Sequence, residues 1–115
     1  MLIKNLTNHK TIVQNAEILE NTFSKFIGLM FSRKKNRALI FKFSKEKIIS
    51  LHMFFVFYPI DVVFLDKNQF VVDNEGYFMP FRLYKSKKKA MYAIELPAGI
   101  IKKCKIKTGD RIKFY

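Results

Sequence analysis

A chain of 115 residues with half of its residues hydrophobic fits one domain with its own core. One cysteine excludes an internal disulfide, and two histidines, His9 and His52, give no Cys/His cluster with zinc spacing. The net charge of +13, from 22 Lys and Arg against 9 Asp and Glu, implies affinity for polyanions, although the excess is mostly lysine and a solvated surface explains most of it.

Met1 to Asn5 and Thr11 to Ile18 read as strands joined by a polar link, Thr7 to Lys10. Asn21 or Thr22 can cap a short helix near residues 22–30, where Phe23, Phe26, Ile27 and Met30 share one stripe. Ser32 to Arg37 has nothing to bury and reads as a basic loop. Ala38 to Phe43 alternates like a half-buried strand. Lys45 to Lys47 reads as a second basic link.

The run Ile49 to Leu65 is almost wholly apolar and is expected to form two strands bent at Tyr58-Pro59, since proline cannot donate to a ladder. Asp66-Lys67-Asn68 reads as a hairpin turn into a strand at Phe70 to Val72, and Asn74-Glu75-Gly76 as a further turn towards Tyr77 to Leu83. Lys85 to Lys89 is a basic loop, Met91 to Leu96 a strand and Pro97-Ala98-Gly99 a break. Lys107 to Asp110 is a tight turn feeding a closing strand. The expected fold is mostly β (α+β): a single-domain antiparallel β-barrel or roll, residues 1–115, with one short helix.

Two acids stand inside apolar segments: Asp61 in YPIDVVFL and Glu95 in YAIELPAG. A buried carboxylate must be hydrogen-bonded, paired or put to use. The sharper reading places both in one pocket with His52, as candidate catalytic groups for acid-base chemistry. The plainer reading makes them structural locks, Asp61 taking backbone N–H groups and Glu95 pairing with Lys25 or anchoring the loop behind it. His52 reads first as a hydrogen-bonded core residue, and Cys104, among Lys102, Lys103 and Lys105, as a small core residue.

These segments, together with FSKFIGLMF at 23–31, ISLHMFFVFYPIDVVFLD at 49–66, FVVD at 70–73 and KTGDRI at 107–112, resemble the DUF192 family, also called UPF0127. The resemblance implies a small β-rich domain of bacteria and archaea with no established activity. Lys25 stands where many relatives carry Arg, and His52 where many bacterial relatives carry Trp.

The resulting expectation is a small soluble binding or accessory module in the cytoplasm, with no cofactor, no metal and no membrane span. Its pocket involves Asp61, Glu95 and His52, with Met53, Pro97, Ala98 and Gly99 as candidate ligand contacts. A hydrolase-like enzyme using Asp61 and Glu95 is the alternative. Weak nonspecific binding of nucleic acid through Arg33, Lys34, Lys35, Arg37, Lys85, Lys87, Lys88 and Lys89 is a third reading.

Overall fold

The computed structural model describes residues 1–20, 38–52, 58–79 and 82–115, except for the side chain of His52. The helix expected near residues 22–30, the basic loop at 32–37 with Arg33, Lys34, Lys35 and Arg37, and Met53 lie outside the described residues.

The chain is mostly β. Strands β1 (Ile3–Asn5), β2 (Thr11–Val13), β3 (Ala16–Leu19), β4 (Ala38–Lys47), β5 (Ser50–His52), β6 (Ile60–Leu65), β7 (Val71–Phe78), β8 (Leu83–Lys85), β9 (Ala90–Pro97) and β10 (Ile112–Phe114) accompany a one-turn helix, α1 (Ile100–Lys103). They form a central sheet in the order β3-β4-β9-β6-β7, a three-stranded sheet β10-β1-β2 and a two-stranded antiparallel sheet β5-β8. The barrel closure expected from strand spacing is not formed among these strands. The pairing is antiparallel apart from β3 and β4, which run parallel from Ala16↔Ala38 to Leu19↔Phe41.

Alternation explains how one sheet carries two cores. On β4, β6 and β9 successive side chains leave opposite faces. Ile40, Val63, Leu65, Ile94 and Leu96 pack on one face with Ile3, Ile12 and Ile112 of the three-stranded sheet. Leu39, Phe41, Val62, Phe64 and Ala93 pack on the other with Ile49, Leu51 and Phe78. Strand β6 is buried at all six positions, which is why its segment reads as continuously apolar rather than alternating.

Four local expectations change. Thr11 to Ile18 is not one strand but two, β2 and β3, which belong to different sheets. Lys45 to Lys47 continues β4 rather than forming a link, and Asn74-Glu75-Gly76 lies within β7 rather than at a turn. Irregular pairing between Ile60/Val62 and the β7 strand lets the chain pass this polar stretch as a bulged strand rather than reverse it. Behind Pro97-Ala98-Gly99 the chain makes helix α1, which has too few turns to show a helical periodicity in sequence.

The expected closing strand does form. β10 pairs with β1, Ile3↔Phe114 to Asn5↔Ile112, and a buried polar link fixes the junction. The Asn5 side-chain amide donates to Asp110 Oδ2 at 2.8 Å, and the same oxygen accepts the Lys107 N–H at 2.9 Å. Asn5 Oδ1 accepts the Thr7 N–H, so one Asn-Asp pair orders the turns after β1 and before β10 together.

Candidate functional site

Asp61 is 1% exposed and both of its carboxylate oxygens accept backbone N–H groups. Oδ1 accepts the Tyr77 N–H at 2.9 Å, while Oδ2 accepts the Gly99 N–H at 3.0 Å and the Ile101 N–H at 2.8 Å. Gly99 is the N-cap of α1 and brings no side-chain cap of its own. Asp61 therefore supplies from β6 the acceptor that a Ser, Thr or Asp at the cap would supply locally. Three elements, β6, β7 and the loop into α1, meet on one side chain. The backbone N–H partners expected from its place after Pro59-Ile60 are present.

Gly99 is there for two reasons. Its φ is +95°, and a Cβ on it would stand 3.1 Å from Tyr77 Oη. Alanine at 99 thus meets both backbone strain and a side chain. Gly99→Ala is expected to cost about 1–3 kcal/mol. In a Tyr77→Phe background part of that loss is expected to return, leaving the backbone component. Urea midpoints of the two single variants and the double variant check this, and additive losses would mean that the Tyr77 hydroxyl does not restrict position 99.

Glu95 is equally buried and differently placed. It pairs with Leu39 of β4 and Val62 of β6, both on the sheet face that carries Phe41 and Phe64. Asp61 pairs with Leu96, on the opposite face. The two acids project from opposite faces of one sheet, so they are not brought together in one pocket. Their sequence contexts look alike because both strands are buried on both sides, which hides the parity that separates them. Glu95 Oε1 has no hydrogen-bond partner among the described residues, and burial raises its carboxyl well above the usual carboxylate range.

The remaining candidates are dispersed. His52 ends β5, paired with Leu83. Pro97, Ala98 and Gly99 are partly buried and lead from Leu96, the neighbour of Glu95, into α1. Lys85, Lys87, Lys88 and Lys89 are exposed. Cys104 is buried within the first core cluster, its thiol 3.8 Å from the Thr11 carbonyl, consistent with the core role.

A further acid, Asp73, carries a site that the sequence did not mark. It is 7% exposed; Oδ2 accepts from Tyr84 Oη at 2.7 Å and from the Lys87 N–H at 2.9 Å, and Oδ1 accepts the Asn74 N–H. Burial first, then this hydrogen bond and the Asp73 charge, pushes the Tyr84 phenol above the usual tyrosine range. Tyr84 stacks on Phe64 at 5.7 Å between centroids and so is a structural ring, not one free to stack on a ligand. The signal, FVVDN, was an acid in a strand like the other two, but shorter apolar flanks made it unremarkable.

Among the described residues no group of three or more His, Cys, Asp or Glu is placed to hold a metal ion, and no helix is long and apolar enough to cross a membrane.

The model of the family DUF192, described as an uncharacterized ACR, matches residues 3–114. A UPF0127 protein of Thermococcus sibiricus is 40% identical over 114 residues, covering 97% of this chain and 73% of that protein. One of Pyrococcus furiosus is 38% identical over 112 residues, covering 96% and 95% respectively. Two solved structures share the fold. A Novosphingobium aromaticivorans protein of unknown function has a TM-score of 0.85 at 18% identity, over 98% of this chain and 82% of that one. A Sinorhizobium meliloti protein, provisionally described as a transcription regulator, has a TM-score of 0.82 at 19% identity over 97% and 89%. The chain belongs to the DUF192 (UPF0127) family.

Proposed function

We propose that the chain is a single-domain binding or accessory module of the cytoplasm in which Glu95 is the polar contact for a small ligand. The observation that carries this is the buried Glu95 Oε1, without a hydrogen-bond partner among the described residues. Buried polar groups are normally satisfied, and one that is not invites a functional explanation. A carboxyl group kept protonated offers one O–H donor beside one carbonyl acceptor. That pattern complements a primary amide, a lactam or another carboxylic acid. Asp61 supports the site from the opposite face by fixing Gly99 and, through it, the Pro97-Ala98 loop that follows Glu95. His52, the last residue of β5, and Met53, which lies outside the described residues, stay in the candidate set on their sequence positions alone.

The acid-base enzyme is the weaker reading, because both Asp61 oxygens are occupied by backbone donors and the second acid lies across the sheet. Exposure of Lys85, Lys87, Lys88 and Lys89 supports weak polyanion association beside ligand binding. Screening small amides, lactams and carboxylic acids by thermal shift tests the main reading. A ligand at a hundred times its Kd should stabilise by about 2.7 kcal/mol, and Glu95→Leu should abolish the shift. A panel with no stabilising member, or hits indifferent to Glu95→Leu, would sink it.

A further inference from the structure

A cavity of about 470 Å³ opens between the β6–β7 turn and strand β10. Its apolar lining is Leu6 and Ile112; its polar lining is three cationic side chains, Lys67, Arg111 and Lys113, and the amides Asn68 and Gln69. No carboxylate lines it. The nearest acids are engaged in the backbone of the turn: Glu46 accepts the Lys67 N–H, and Asp66 Oδ1 accepts the N–H groups of Asn68 and Phe70. Asp110, next to Arg111, is buried against Asn5 and the Lys107 N–H.

The walls are cross-linked. The Ile112 N–H donates to the Gln69 carbonyl at 2.9 Å, the Val71 N–H to Asp110 at 2.8 Å, and the Leu6 N–H to Arg111 at 2.8 Å. Two exposed rings flank the cations. The Arg111 guanidinium lies 5.6 Å from the centroid of Phe70, which is 38% exposed, and Lys113 Nζ lies 4.9 Å from that of Tyr115, which is 54% exposed.

We propose that this cavity and its two rings bind single-stranded nucleic acid, the cations taking backbone phosphates and the rings stacking with bases. The volume suits a nucleotide-sized unit. Three cations with no lining carboxylate focus a positive field on it, and the net charge of +13 draws a polyanion towards it. A small phosphate ester would use the cations alone. Exposed aromatic rings beside them are the feature that a strand uses, since each base offers a face for stacking. The site differs from the lysine loops in being a concave surface held by backbone hydrogen bonds.

Fluorescence anisotropy with a labelled twelve-nucleotide oligothymidylate in low salt tests this. Lys67→Gln, Arg111→Gln and Lys113→Gln together should weaken binding at least tenfold and reduce the salt slope by about 2. Phe70→Ala should weaken it about fivefold or more. The control changes the exposed Lys102, Lys103 and Lys105 to Gln, which removes as much charge, and it should lose less than about threefold. Lys67→Gln alone, on an exposed turn, should still lose about twofold if the triple variant is unfolded by circular dichroism. Three results would overturn the proposal: a control that weakens binding as much as the cavity variant, a Phe70→Ala variant that binds like wild type, or thymidine monophosphate competing as well as the oligonucleotide.

Discussion

Asp61→Ala is expected to remove about 3–6 kcal/mol of stability, a large part of what a domain of this size has. The carboxylate is buried and accepts three backbone N–H groups, from Tyr77, Gly99 and Ile101. Alanine leaves all three donors without this acceptor, and each buried unsatisfied group costs about 1–3 kcal/mol, less where water reaches it. Asp61→Asn keeps the shape but not the chemistry. Its oxygen can serve Gly99 and Ile101 or else Tyr77, and in either case its NH2 faces a donor. A loss of about 2–4 kcal/mol is expected, with hydrogen exchange accelerated at Ile101 beyond the rest of α1 and at Tyr77 beyond the rest of β7. Urea unfolding of the two variants checks the magnitude. Stability unchanged in both would mean that Asp61 is held at its position for binding rather than for the fold.

The contrast between Asp61 and Glu95 shows where the sequence was informative and where it was not. Both acids were legible as buried, because each interrupts an apolar run long enough to be a central strand. Their faces were not legible. In a strand covered on one side, alternation reveals which residues share a face, but β6 is buried at every position and β9 at most of them. Only the register, Asp61↔Leu96 against Val62↔Glu95, assigns the parity, and register comes from pairing between segments more than thirty residues apart. The closing strand β10 was legible because its turn, Lys107 to Asp110, is a local solution that depends on Gly109 at φ +95°. The parallel β3–β4 pair, the continuation of β4 through Lys45 to Lys47 and the single turn of α1 were not. Each is decided by tertiary pairing or by one remote acceptor, and none leaves a periodicity. Asp73 went unmarked for the same reason: its partners Tyr84 and Lys87 reach it across β7 and β8, and nothing local in FVVDN foretells them.

For Glu95 the expected result is a change in the sign of a substitution with pH. Burial raises its folded-state pKa well above the ordinary value of a carboxyl, whereas the unfolded chain titrates near 4.3. Below both pKa values the group is protonated in either state and burial of its charge is no issue. Between them the folded protein keeps a proton that the unfolded chain has lost. Stability then falls as pH rises, by about 1.4 kcal/mol per pH unit for this one group, and levels off once pH passes the folded pKa. Glu95→Gln keeps the size of the protonated acid and cannot ionise. At pH 5 it should lie close to wild type, and its stability relative to wild type should rise as pH rises towards 7.5. The difference between the two proteins isolates this group, since every other titration is common to both. Urea unfolding at half-unit steps from pH 4.5 to 8 measures it. A flat difference would mean that Glu95 is ionised against a cation in the folded protein, which would remove the neutral donor-acceptor pair on which ligand binding at this face depends. A rising difference would show a group that the fold retains at the expense of its own stability, as expected of a residue that meets a ligand rather than one that holds the sheet together.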